Sequence, residues 1–314
     1  MPIRDWKIQY RTIYDVLFET PRVPLVNIEK AIGKTAKRRL KEALALLYII
    51  GPELRKLSYG NLKEYVYLLQ CEDSDASYLK YRKDQNVIYH AQTGGFCDLF
   101  LVSKDKMNID EDIIVEGYRS DYHVSFAPNH SWETALERMR KKIKTFNPRA
   151  FLRKNIIRTR FDETIEWDYQ DEIIYRHFKY DLRNSLQPLQ KEHEITGWKI
   201  YDFLDRLPET CTVFTSYYPD TLQAYDSYLF MFETNYEDFI IDLFSELPTT
   251  SSFFNVGNKL FVSAYVSKPY IRSTDPLLDG SELDIPSLLV ELLKKEIVKS
   301  KAHAILERHK GKDL

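Results

Sequence analysis

The chain has 314 residues, 44% hydrophobic and 29% charged, with 45 Lys+Arg against 47 Asp+Glu. That balance excludes a disordered chain and leaves room for two or more domains with real cores. Ten glycines are too few for a large glycine-looped nucleotide fold, and the longest apolar run, Ala43 to Ile50, is far too short to span a membrane.

In chain order, Ile8, Ile13, Val16 and Leu17 have helical spacing, and Thr20-Pro21 stops that helix. Pro24 opens a second helix with Leu25, Ile28 and Ile32 on one face, and Gly33 ends it. A third helix starts at Thr35, its expected N-cap. Its inner face is Ala36, Leu40, Ala43, Leu44 and Leu47; its outer face is Lys34, Lys37, Arg38 and Lys41, with Arg39 at the edge. A strand-like Tyr48 to Ile50, then Gly51-Pro52 and Leu54 to Leu57, completes the order helix, helix, turn, basic helix, wing. Such a helix suits the major groove, its cations meeting phosphates and its first turn meeting base edges.

Strands are expected over residues 63–72, 87–92 and 96–103, with a polar helix over 75–83 and a β-rich run over 113–126. Ser131 caps a helix to Phe146 whose apolar face is Trp132, Ala135, Leu136, Met139 and Ile143. The order is that of a small ferredoxin-like sandwich.

A repeat then appears. Ile32-Gly33 before KTAKRRLKEAL matches Thr196-Gly197 before WKIYDFLDRL; YGNLKEYVYLLQCED matches YPDTLQAYDSYLFMFETN; FCDLFLVSK matches NKLFVSAYVSK. Residues 233–246 are the expected helix of the second sandwich, and a terminal helix over 286–307 echoes 131–146. The fold class is therefore α+β: two tandem copies of a winged helix-turn-helix followed by a ferredoxin-like αβ sandwich. Expected boundaries are 1–57 for the first winged helix, 58–147 for its sandwich, 148–210 for a connector and a degenerate second winged helix, and 211–314 for the second sandwich with a C-terminal helix.

Charge separates the copies. Residues 1–150 hold 25 Lys+Arg and 20 Asp+Glu, a net of +5; the remainder holds 45 − 25 = 20 and 47 − 20 = 27, a net of −7. The second copy's candidate helix, Trp198 to Leu207, sets Asp202 and Asp205 against Lys199 and Arg206. The connector 147–160 is basic, with Arg149, Arg153, Lys154, Arg158 and Arg160, and reads as a backbone-tracking segment or a solvated linker.

IEKAIGKTAKRRLKEALALLYIIGPELRKL, EYVYLLQCED and VIYHAQTGGFCDLFLVS together resemble the leucine-responsive (Lrp/AsnC) regulators over about residues 8–105. The resemblance implies a DNA-binding transcriptional regulator, with Gly94, Gly95 and Asp98 matching the Gly-x-x-Asp hairpin of an effector-sensing (RAM) sandwich. A shorter recognition helix and the β-rich insertion at 113–126 depart from the family. The expected DNA-contacting residues are Lys34, Thr35, Lys37, Arg38, Arg39, Lys41 and Arg55. Double-stranded DNA is the expected partner, with a small-molecule effector and a homodimer.

No P-loop, GxGxxG, HExxH or GxSxG is present, so no enzyme and no cofactor is expected. Cys71, Cys97 and His90 match no standard metal spacing, and an odd cysteine count with no apolar signal core in MPIRDWKIQY points to a cytoplasmic chain with reduced thiols. Glu192-His193-Glu194 reads as helix surface, and Asp110 to Asp112 as a solvated loop. Two alternatives stand beside DNA binding. One is a sensor or scaffold whose winged helices bind protein. The other is an enzyme, because the sirohaem decarboxylases resemble the same domain pairing; Tyr118, Arg119, Tyr122 and His123 are the nearest match to their porphyrin-contacting His and Arg.

Overall fold

Tyr10, Ile13, Tyr14 and Leu17 recur every three or four residues, and in the computed structural model they form the buried face of helix α1 (Trp6–Glu19). The structure describes residues 5–270 and 284–311. It divides into two compact units, each drawn from both halves of the chain: residues 1–57 with 164–223, and residues 58–163 with 224–314.

In the first unit, α1 is followed by α2 (Leu25–Ile32), α3 (Ala36–Ala45) and strand β1 (Ile49–Lys56). The same order recurs in α6 (Tyr169–Phe178), α7 (Gln187–Lys191), α8 (Gly197–Asp205), the short α9 (Leu207–Thr210) and β7 (Cys211–Tyr217). Each wing is a single strand, and the two pair antiparallel, from Ile49 opposite Tyr217 to Lys56 opposite Cys211. The ladder is interrupted between Ile50 and Glu53. Gly51 sits there at φ +90, where a Cβ would lie 2.3 Å from the Phe214 carbonyl oxygen, so only glycine fits. Ile174, Phe178, Leu189, Ile200 and Phe203 from the second set of helices bury against Leu54 of β1.

Thr35 departs from expectation. It lies in helical rather than extended backbone and makes no capping bond, because the Gly33 turn, with Ala36 N–H donating to Gly33 O at 3.1 Å, already draws it into the helix.

In the second unit, unbroken apolar runs buried on both faces form β2 (Tyr65–Gln70) and β4 (Leu99–Ser103), beside β3 (Val87–Gly95) and β5 (Asp112–Tyr118), with α4 (Ser74–Lys83) between β2 and β3. The other half supplies β8 (Tyr225–Glu233), α10 (Glu237–Phe244), β9 (Ser252–Val256), β10 (Lys259–Ser267), α11 (Ile285–Lys294) and β11 (Ser300–Gly311). Each half shows the ferredoxin-like strand order, β5-β2-β4-β3 and β11-β8-β10-β9. Pairing of β3 with β11 joins them into one sheet, extended by β6 (His123–Val124) beside β9. An isolated bridge from Arg119 to Val256 brings the end of β5 to β9, so the sheet curls on itself. Phe100, Phe254 and Phe261 stack on its inner face.

The expected terminal helix is corrected: α11 stops at Lys294, Glu296 takes a positive φ, and residues 300–311 form β11. Side chains there alternate, with Ala304 and Leu306 facing the inner core, a period of two that a helix cannot use. The part of residues 211–314 that spans 271–283 lies outside the described residues. Helix α5 (Trp132–Thr145) begins at Ser131, which caps it, and buries Trp132, Ala135, Leu136, Met139 and Ile143. It packs against α10 and α11, and Arg140 pairs with Glu291 and Lys142 with Asp242. No helix among the described residues is long and apolar enough to cross a membrane.

Candidate nucleic-acid interface

Ile28, Ile32, Ala36 and Ala43 bury one side of α2 and α3, which leaves Lys34, Lys37, Arg38 and Lys41 exposed on the other. Among the described residues the three lysines make no ion pair, and Arg38 approaches only Glu42, at 3.7 Å on the same helix. Arg39 turns inward: its guanidinium donates to Gln9 Oε1 at 2.8 Å and to Glu42 Oε2 at 2.7 Å. Burial opposes ionisation of Glu42, but Arg39 outweighs it and holds that carboxyl below its ordinary range. Thr35 is half-buried, with a buried hydroxyl oxygen that has no partner among the described residues. Arg55 is held on β1 by Glu53 at 2.7 Å and lies 5.5 Å from the Phe214 ring centre. The structure thus exposes Lys37, Arg38 and Lys41 on α3 and Lys34 in the turn before it, turns Arg39 and Arg55 to contacts within the unit, and leaves Thr35 half-buried.

The equivalent helix α8 is built differently. Asp171, fully buried, accepts from Lys199 Nζ at 2.8 Å and from Arg206 Nη2 at 3.0 Å. Lys199 also meets Asp168 at 2.9 Å, and Arg206 meets Asp202 at 3.0 Å. Burial raises the Asp168 carboxyl, but the Lys199 ammonium outweighs it and holds the group below its usual range. Both cations of α8 are neutralised inside the unit, and its exposed face presents Trp198 and Tyr201, 76% and 58% exposed. Asp202 and Asp205 are visible as acids in the helix itself. Asp171, the residue that neutralises most, lies on α6, and only folding brings it there.

Gly94 and Gly95 lie where β11 pairs onto β3, opposite Ile305 and Ala304. Gly95 has φ +143, and a Cβ there would fall 2.5 Å from the His303 carbonyl oxygen, so this glycine admits a neighbouring strand. Asp98 accepts from the Cys71 N–H at 2.8 Å and from Gln70. His90 faces α4, its ring 4.6 Å from Tyr78, whereas Cys97 belongs to the core on the opposite face. Among the described residues no group of three or more His, Cys, Asp or Glu side chains is arranged to hold a metal ion. Burial pushes the Cys97 thiol up to about 12 and the Cys71 thiol to about 11, so both stay protonated near neutrality.

Of the residues matched to a porphyrin site, Arg119 is 1% exposed, bound to Glu64 Oε2 at 2.7 Å and set against the Tyr122 ring. Tyr122 meets Phe254 edge-on. His123 lies near Phe253, its pKa lowered by burial against an opposing effect of Asp238. Glu111, expected in a solvated loop, instead pairs with Lys80 at 3.1 Å and hydrogen-bonds Tyr81.

The fold and this face define an α+β chain with paired helix-turn-helix segments and a curled sheet. No protein-family model matches the sequence, and no curated protein does. Two solved structures are similar to it in fold, both of the siroheme decarboxylase NirDL, one in co-complex with an iron-uroporphyrin III analogue. The first has a TM-score of 0.45 and 9% identity over 96% of this chain and 91% of that one. The second has a TM-score of 0.43 and 9% identity over 94% and 91%. The expectation that the chain is not an enzyme is corrected by this finding and withdrawn, since the solved structures it resembles are those of an enzyme.

Proposed function

We propose that the chain binds duplex DNA through the outer face of α3 and acts as a sequence-specific transcriptional regulator. One observation carries the reading: Lys37, Arg38 and Lys41 on α3 and Lys34 in the turn before it are exposed and, among the described residues, have no acid partner except in the Arg38–Glu42 pair, while both cations of the equivalent α8 are neutralised by Asp168, Asp171 and Asp202. Solvated cations on a helix that follows a tight turn suit phosphate contact, and the helix start suits base edges. With one such helix per chain, a palindromic site calls for two chains, so a homodimer is part of the proposal.

Four phosphate contacts give a log-affinity slope of about −3.6 against log salt, so affinity falls about 150-fold between roughly 50 and 200 mM. The Lys37→Ala/Arg38→Ala variant removes two contacts and flattens the slope by about 1.8, which lessens the fall over the same range by about 12-fold. Fluorescence anisotropy with a labelled duplex measures both. A variant that keeps the wild-type affinity and slope refutes the assignment.

A further inference from the structure

Residues 138–160 contain ten Lys or Arg and no Asp or Glu. Five of these cations are engaged: Arg138 and Lys142 with Glu246, Arg140 with Glu291, Arg153 with Glu237 and Arg160 with Asp121. The others, Lys141, Lys144, Arg149, Lys154 and Arg158, are exposed and make no ion pair among the described residues. Lys141 and Lys144 are three apart on the solvent face of α5, hence neighbours. The remaining three follow along the segment that leaves it.

This segment is held in place from beneath. Phe146 packs on Phe239 at 4.3 Å between ring centres and on Tyr236 at 5.0 Å, and Phe151 meets Tyr236 edge-on at 5.3 Å. The buried Asp238 carboxylate accepts three successive backbone N–H groups, from Lys154 at 2.6 Å, Asn155 at 3.0 Å and Ile156 at 2.9 Å. The nearest buried acid is thus used on the backbone, and the Lys154 side chain stays solvated. Further on, Asp121 N–H donates to Arg158 O at 2.9 Å, and its carboxylate takes Arg160 Nε at 2.9 Å. Aromatic rings and carboxylates fix the backbone from within while Arg149, Lys154 and Arg158 stay exposed. A cationic surface ordered in advance loses little side-chain and loop entropy on meeting a polyanion.

We infer that Lys141, Lys144, Arg149, Lys154 and Arg158 form a second phosphate-binding surface, on the second unit, that tracks a nucleic-acid backbone without reading its sequence. The inference rests on the DNA reading of this chain but involves none of the α3 residues. An anionic membrane suits the surface less well. Leu152 is the one large apolar side chain strongly exposed in this stretch among the described residues, whereas interfacial segments present a continuous apolar face.

The test uses the full chain and a labelled random-sequence duplex, with anisotropy read across salt. The Lys144→Ala/Arg149→Ala/Lys154→Ala/Arg158→Ala variant changes exposed side chains only, and an unchanged thermal transition checks its fold. Each cation that meets a phosphate contributes about 0.9 to the slope, so the four-residue variant flattens it by about 3.6 and weakens binding at least tenfold at about 100 mM salt. The same loss appears in the Lys37→Ala/Arg38→Ala background. An unchanged slope in a folded variant overturns this inference and leaves α3 standing. A loss here together with no effect of the α3 variant sinks the α3 assignment instead and keeps this surface. Wild type that ignores duplex overturns both, and tighter capture by phosphatidylserine vesicles than by duplex assigns the surface to membrane and overturns this inference.

Discussion

Replacing Asp171 by alanine tests the account of why α8 differs from α3. The carboxylate is fully buried and makes three contacts: Lys199 Nζ at 2.8 Å, Arg206 Nη2 at 3.0 Å and, through its other oxygen, the Asp168 N–H at 3.0 Å. Removing one partner of a buried charge cluster costs about 3–5 kcal/mol, and losing half of a capping box adds to that. Two facts pull the figure down. Lys199 and Arg206 are 13% and 24% exposed, and each keeps a second acid, Asp168 or Asp202. The expected loss is therefore about 3 kcal/mol, near the low end, with the transition of the first unit falling by about 10 °C. Urea unfolding followed by tryptophan fluorescence reads it directly, because Trp167 and Trp198 lie in this unit. A loss below about 1 kcal/mol would show that the cations are solvated rather than neutralised by Asp171, and the contrast between the two helices would collapse.

Acid should weaken the second unit before the first. Burial lowers the His123 pKa, so the folded state resists a proton that the unfolded chain accepts below about pH 6.5. Stability is then present above that pH and lost as pH falls towards the folded value. Denaturant midpoints measured from about pH 8 to 5 show this decline, which His123→Gln reduces to the part left by His303, whose pKa burial also lowers, and equal slopes in the two proteins exclude His123 as a source. In the first unit, burial raises Glu172, but Lys56, Arg176 and the Trp167 indole outweigh it and hold the carboxyl low. Its contribution persists down to about pH 4.3 and fades below. Gly95→Ala places a methyl 2.5 Å from the His303 carbonyl oxygen at φ +143, so it costs about 2–3 kcal/mol. Hydrogen exchange then shows protection lost first at the β3–β11 pairing, and unaltered protection there contradicts the contact.

Much of the architecture is carried by local patterns. The capped amphipathic helix from Ser131, the two short N-terminal helices and the repeat of strands in both halves follow from spacing and punctuation alone, and the α+β class follows from them. Local patterns mislead where pairing decides. By sequence pattern residues 300–307 continue a helix, yet β8 and β3 both offer edges to pair, and a strand between them satisfies two ladders at once. Thr35 reads as a cap by residue type, but the preceding turn already places it in helical backbone.

The candidate interface divides along the same line. The exposure of Lys37, Arg38 and Lys41 on α3, and of Lys34 just before it, follows from their spacing opposite the apolar positions, which sequence determines. Their solvation, and the quenching of Lys199 and Arg206, depend on acids from other elements: Asp171 from α6, 28 and 35 positions away. In the basic connector, Asp238 reaches Lys154 N–H across 84 positions, and Asp121 reaches Arg160 across 39. Sequence alone thus determined how many cations each helix and the connector carry and which face they occupy. Tertiary structure decided which of them are free to meet a phosphate, because the net charge of a surface depends on acids that approach through space rather than along the chain.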